Sequence, residues 1–343
     1  MSDEEFATRG DRYWKRVFRG GKRVEDEIAE GISISMLDSA GSWKERVINV
    51  VGNHDIGYAG DVDGEHMERF ERVFGKANFE TRFRMSSTSK EGEEPPELRI
   101  VNLNSLNLDV PVLDDRLQAQ TYDFINRIIG TSRPVEDSTT LTILLTHLPL
   151  HKEEGVCVDG PMIKYYEGMR NNGVKEQNHL SYDSTRSILE SIFGMSGDIG
   201  GPGGGMGRNG IILTGHDHEG CDVWHHLPST GEDGNQRRWS AKRWNETTAE
   251  SRADGPGIRE VTVRSMMGDF GGNAGLLSAW FDEEQKVWEV EYDSCALGKQ
   301  HWWWAVHVVD VVVLGLWTLL GSVWVWRKRR RRSEDGASKQ KVH

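Results

Sequence analysis

The chain is poor in cysteine: Cys157, Cys221 and Cys295 are its three, and no two form a Cys-x-x-Cys pair. That argues against a structural zinc knuckle, and an odd count allows at most one internal disulfide. The glycine-rich stretch 197–210 has no Gly-Lys-Ser/Thr, so it reads as a flexible linker and not as a phosphate cradle. Met1-Ser2-Asp3-Glu4-Glu5 is acidic and no apolar stretch follows it, so no signal peptide is expected there. Internal repeats are absent. A basic body is also lacking: the overall charge of −12 divides into +6 for residues 327–343 and −18 for the rest. An acidic body argues against nucleic acid as a partner, because phosphate binding needs a basic face.

What is present is a repeated pattern. Ile211-Ile212-Leu213-Thr214 runs into Gly215-His216-Asp217-His218; Val47-Ile48-Asn49-Val50-Val51 runs into Gly52-Asn53-His54-Asp55; Leu141-Thr142-Ile143-Leu144-Leu145 runs into Thr146-His147. Each apolar run reads as a buried strand. Each then delivers His or Asn from its carboxyl end, where open α/β sheets place their ligands. The set Asn53, His147, His216 and His218 offers N and O donors without thiolate, which suits Zn, Mn or Fe. A pair of such ions clamps a phosphate and activates a water. His54 is then a candidate to bind phosphate or protonate a leaving group, with Asp55 orienting it.

With 36% apolar and 28% charged residues, most of the chain is expected to be soluble and globular. A helix is possible around Arg12–Arg19. Glu65–Phe74 and Asp114–Ile129 have helical spacing, the latter with Asp114 as cap. Phe79–Met85, Leu98–Leu103 and Cys221–His226 read as strands, as do the alternating Arg259–Met266 and Val287–Tyr292. Asp183–Phe193 is helical. The long loop 148–182 has no clear period; its Tyr165, Tyr166, Gln177 and Asn178 are candidates for sugar contact through stacking and hydrogen bonds, with ordinary surface packing as the alternative. Residues 228–257 are polar and read as mobile.

Ala305–Trp326 is apolar enough to cross roughly 30 Å of hydrocarbon, with Trp302-Trp303-Trp304 and Trp324/Trp326 as interfacial anchors and Asp310 near one end. A buried core helix is the alternative. The basic Arg327–Arg332 would stay cytosolic, so residues 1–301 face a lumen or the exterior. Asn245-Glu246-Thr247 is then a glycosylation acceptor. Lys339 and Lys341, third and fifth from the end, resemble a dilysine signal that coat proteins read to return membrane proteins to the endoplasmic reticulum.

Gly52-Asn53-His54-Asp55, Thr146-His147 and Gly215-His216-Asp217-His218 resemble the calcineurin-like metallophosphoesterases over about residues 45 to 293. Gly52–Gly57, His216–Asp222 and Arg264–Leu277 resemble its fungal branch that acts on GPI anchors. That resemblance implies an α/β fold: a sandwich of two mixed β-sheets flanked by helices, followed by one transmembrane helix. It implies that Asn53, His147 and His216 hold one divalent ion and His218 a second, with Mn expected. The implied activity is a phosphodiesterase that removes ethanolamine phosphate from a mannose of the GPI glycan, in the endoplasmic reticulum membrane, with GPI-anchored proteins or the GPI glycan as partner.

The family pattern also has an Asp-x-His strand and a Gly-Asp-x-x-Asp strand whose Asp bridges the metals. Gly10-Asp11 and Gly60-Asp61 do not substitute for them. The chain is therefore expected to lack its first strands and to be inactive as it stands, with 1–301 an incomplete lumenal domain, 302–326 the span and 327–343 the tail. Two alternatives stay open: a catalytically dead lumenal protein that binds GPI-anchored cargo, and a phosphomonoesterase on the same scaffold.

Overall fold

The computed structural model describes residues 2–86, 94–167, 173–228, 237–296 and 300–340. It divides into a body, Met1–Ser265 with Ala274–Cys295, and a second unit, Met266–Asn273 with Ala296–His343.

The strands of the body, in chain order, are β1 (Lys22–Arg23), β2 (Ser33–Met36), β3 (Arg46–Val47), β4 (Phe79–Arg84), β5 (Glu97–Leu103), β6 (Thr140–Thr146), β7 (Ile163–Tyr165), β8 (Val174–Gln177), β9 (Gly210–Thr214), β10 (Cys221–His226), β11 (Ser240–Arg243), β12 (Gly257–Thr262), β13 (Asn273–Asp282) and β14 (Val287–Ala296). Eight of them form one mixed sheet in the order β11-β10-β12-β9-β6-β5-β4-β2. Its centre, β12-β9-β6-β5, is parallel throughout. The apolar runs of β6 and β9 follow from that position, because a parallel strand covered on both faces has no wet side to alternate toward.

The period of two sorts those side chains between two cores. Leu144 and Ile212 point to the face covered by helices Gly64–Phe74 and Asp115–Gly130, which contribute Met67, Phe70, Phe124, Ile125 and Ile128. Leu141, Ile143, Ile211 and Val261 point to the other face, where the β13-β14 hairpin lays down Leu277, Phe281, Trp288 and Val290. Asp63 caps the first helix by accepting from the His66 N–H at 2.9 Å, and Asp114 caps the second by accepting from the Arg116 N–H at 2.9 Å.

The architecture differs from two mixed sheets: among the described residues there is one eight-stranded sheet with three two-stranded ladders. The expected strand 47–51 is reduced to Arg46–Val47, paired in parallel with Lys22–Arg23 outside the main sheet. Past it the backbone is held by side chains: Asn102 Nδ2 donates to the Asn49 carbonyl at 3.1 Å, and Asn49 Nδ2 to the Phe74 carbonyl at 2.9 Å. Without neighbouring strands those groups need other partners. β2 forms the edge, leaving Ile34 and Met36 exposed. At the start of the chain the helix is Asp3–Arg12, continued by a wider turn over Tyr13–Val17.

The 148–182 stretch contains the β7-β8 hairpin. Within 228–257, where mobility was expected, lie β11 and a capped turn of helix, Ala249–Arg252. Asn245 lies in the short turn Trp244–Glu246 and is exposed. Cys157 and Cys221 are joined, and Cys295 is free.

In the second unit, helix Gln300–Gln340 contains Trp302–Arg331, long and apolar enough to cross a membrane. Lys339 lies in its last turn, and Lys341 falls outside the described residues.

The Cys157–Cys221 bond closes a loop of sequence separation 64. A loop of that size is worth on the order of 2–4 kcal/mol against the unfolded chain. Cys157→Ser should therefore lower the unfolding free energy measured by urea denaturation by that amount relative to wild type; matching unfolding free energies under oxidising conditions would show that the bond carries no stability.

Candidate metal centre

β6 and β9 are neighbours and parallel, with Leu145 beside Leu213. Their carboxyl ends therefore stop side by side, roughly 4.8 Å apart. His147 follows β6 directly and His216 follows β9 by two residues. The Gly215 N–H donates to the His147 carbonyl at 3.0 Å, which locks the two ends together. The two imidazoles meet edge to face with centroids 5.1 Å apart. Asn53 opens the short helix Asn53–Ile56 and brings its Oδ1 to 2.9 Å from His147 Nε2. Gly52 permits this approach: a Cβ there would lie 3.1 Å from His147 Cε1.

The orientation of each donor has a cause. Asn53 Nδ2 donates to the Tyr58 hydroxyl at 3.1 Å, which turns its Oδ1 toward His147. Tyr58 also packs edge to face on His216 at 6.0 Å. His216 has φ 69°, in the left-handed region; a non-glycine residue held there costs on the order of 1–3 kcal/mol and persists only where its surroundings impose it. Those surroundings include a hydrogen bond between its ring and the main chain of Gln177.

Burial, reinforced by repulsion from His216, His54 and His218, pushes His147 down to about 3. Burial likewise lowers His216. Both imidazoles are therefore neutral near pH 7, the form in which histidine binds a metal. His147 Nε2 and Asn53 Oδ1 face one another at 2.9 Å, so both could turn to one ion as nitrogen and oxygen donors. Asp217 Oδ2, buried beside His216 and His218, has no hydrogen-bond partner, so an acceptor is left for a cation to satisfy. These observations fit one ion on Asn53, His147 and His216. Among the described residues no three His, Cys, Asp or Glu side chains close around one point; the third donor here is an amide.

His218 and His54 are both exposed at the rim. Asp55 Oδ2 accepts from the Gly52 N–H at 2.9 Å, closing the helix start in place of the expected bond to His54. Burial raises the Asp55 carboxyl. Of the four loop residues, Tyr165 and Tyr166 are exposed, and the Tyr166 hydroxyl donates to Asp61. Gln177, expected at a sugar, is fully buried and donates its amide to Asp109 at 2.8 Å and to the His179 carbonyl at 3.0 Å. Its main chain is what reaches the site. Asn178 Nδ2 donates to the Gly160 carbonyl at 3.1 Å.

Sequence reasoning passed over Tyr58, Asp159 and Glu260. Burial, then Asp217, raises the Asp159 carboxyl, with His216 and His218 opposing the rise; the group thus stands within charge reach of both imidazoles. The Cys157–Cys221 bond, a pairing that three cysteines leave open in the sequence, holds the Asp159 loop against the turn that follows His218. Glu260, at the centre of β12, is fully buried. It accepts from the Leu150 N–H, Lys152 Nζ and Thr214 Oγ1, each at 3.1 Å, and bonds His225 Nε2. One carboxylate thereby fixes the loop behind His147 and the strand end before His216.

No family model matches the chain. It is 36% identical over 280 residues to Protein TED1 of Saccharomyces cerevisiae, covering 80% of this chain and 52% of that protein. It is 29% identical over 301 residues to an uncharacterized protein of Schizosaccharomyces pombe, covering 80% of this chain and 63% of the relative. A third relative, Cell division control protein 1 of Saccharomyces cerevisiae, is 23% identical over 233 residues, covering 66% of this chain and 40% of that protein. The chain spans about half the length of the curated relatives it matches. No solved structure matches.

Burial opposes ionisation of Glu260, but Lys152 and His225 outweigh it and hold the carboxyl down at about 2. Its stabilisation is therefore complete above the unfolded value of about 4.5 and is lost as pH falls from there toward about 2. Acid unfolding followed by near-ultraviolet circular dichroism should steepen in that window and flatten in Glu260→Gln; identical profiles would remove Glu260 from this role.

Proposed function

We propose that the body is the catalytic or recognition domain of a metal-dependent phosphodiesterase that takes ethanolamine phosphate from a mannose of GPI anchors. The observation that carries this reading is the meeting of Asn53, His147 and His216 at the carboxyl ends of two adjacent parallel strands and a helix start, 2.9 Å between the first two and 5.1 Å between the imidazoles. Divalent ions bound there would supply Lewis-acid charge at phosphorus and a lowered pKa for water. The chain's own contribution is to hold neutral imidazoles and an amide oxygen in place before the ion arrives. His54, exposed at the rim, is free to meet a phosphate oxygen or a leaving group. Substrate identity rests on the resemblance of the Gly52–Gly57, His216–Asp222 and Arg264–Leu277 motifs to the GPI-acting branch.

The proposed setting is the endoplasmic reticulum membrane, with the body lumenal and the tail cytosolic. Arg327–Arg332 supports that orientation by the excess of basic residues on cytoplasmic flanks. The Lys339 and Lys341 pair would be read by coat proteins. Mn is the expected ion, with Zn or Fe as the other fits for nitrogen and oxygen donors.

A second reading, a lumenal protein that binds GPI-anchored cargo without hydrolysis, is favoured by one observation. Among the described residues no three His, Cys, Asp or Glu side chains gather around one point, and neither Gly10-Asp11 nor Gly60-Asp61 supplies a Gly-Asp-x-x-Asp motif. Ligand charge and count set affinity, so this chain alone is expected to hold one ion or none. About two ions would mark the hydrolase. A phosphomonoesterase would instead prefer a model monoester to a diester.

In a protein that carries these three motifs together with Asp-x-His and Gly-Asp-x-x-Asp, and with Mn supplied, bis(p-nitrophenyl) phosphate should be cleaved. His216→Ala should lower that turnover on the order of 100-fold or more with the circular dichroism unchanged. Turnover retained in the variant would take His216 out of the site.

A further inference from the structure

Away from the histidines, the body has a cavity of about 610 Å³ between the helix Tyr182–Ser187 and the chain entering β11. Its wall carries three guanidinium groups, Arg186, Arg237 and Arg238, against Asp183 and Glu190. The acids are poorly matched to the arginines. Asp183 meets Arg186 only at 3.9 Å. Glu190 accepts from the Trp239 indole N–H at 3.4 Å. Arg237 spends one N–H on the Gly197 carbonyl at 2.7 Å, and its other donors have no hydrogen-bond partner among the described residues. Arg238 lies over the Tyr182 ring at 4.8 Å, with no acid partner among the described residues. The Tyr182 hydroxyl accepts from the Trp239 N–H at 3.0 Å, so its own hydrogen is free to donate.

We propose that this cavity is a second anion site, for the phosphate group of a phosphomonoester. A guanidinium fork donates two parallel bonds to a phosphate, and arginines pre-set by stacking lose little freedom in doing so. The volume is that of a small-ligand site. One wall of the cavity, the Tyr182 ring, packs on His151 at 5.9 Å. Its donors, however, are all its own, and the proposal stands whether or not the phosphodiesterase reading does.

The test is calorimetric titration of the full chain in detergent with EDTA present, using inorganic phosphate and mannose 6-phosphate, with mannose as control. Both phosphates should bind while mannose does not. Arg238→Ala should weaken binding about 10-fold, the loss of one charge-assisted pair of bonds. Arg238→Lys should recover part of that loss. His216→Ala should leave the affinity unchanged, which separates this site from the histidine cluster. Should the soluble phosphates fail, capture on phosphatidic acid vesicles that is lost in Arg238→Ala would assign the phosphate to a lipid headgroup and keep the proposal. Absence of binding to every phosphate, or affinity indifferent to Arg238, would overturn it.

Discussion

A carboxylate with no access to water must be paid for by its neighbours, and Glu260 is one. Its oxygens take the Leu150 N–H, the Lys152 ammonium, the Thr214 hydroxyl and His225. Burial lowers Lys152, with Glu260 opposing the fall. Removing one partner of such a pair leaves an uncompensated buried charge and costs about 3–5 kcal/mol. The segments that bear His147 and His216 therefore cannot drift apart without breaking this cluster. That fixity comes from the middle of the sheet, one layer beneath the site.

The cluster above it holds its geometry against two costs. His216 is kept at a positive φ, and His147 is kept neutral by burial among other imidazoles. Both are what a cation would find useful: ligands deprotonated in advance and converging before it binds. Among the described residues, the carboxylates close to these imidazoles are Asp217 and Asp159.

Much of this was legible in the sequence. The apolar runs of β6 and β9 announce central parallel strands, and Thr146-His147 and Gly215-His216 place their donors at the ends. Asp114 and the period after it give the helix Asp115–Gly130 within one residue. The 47–51 run was misread because period alone cannot supply a neighbouring strand, and without one only Arg46–Val47 pairs. Gln177 looked like a surface amide because β7 and β8 are too short to show a period. Glu260 was hidden for a deeper reason. Its partners Lys152, Thr214 and His225 come from three other stretches of chain, and only the sheet order makes them neighbours. The Cys157–Cys221 pairing, and with it the place of Asp159, depended on the same long-range information.

The central claim is that Asn53, His147 and His216 share one cation. Pulsed electron paramagnetic resonance of the chain loaded with Mn(II) reads imidazole nitrogens on the ion directly. The account predicts couplings from two imidazoles, one lost in His147→Ala and both lost when His216→Ala is added. A spectrum free of nitrogen couplings in the unaltered protein, or couplings indifferent to both substitutions, would contradict it.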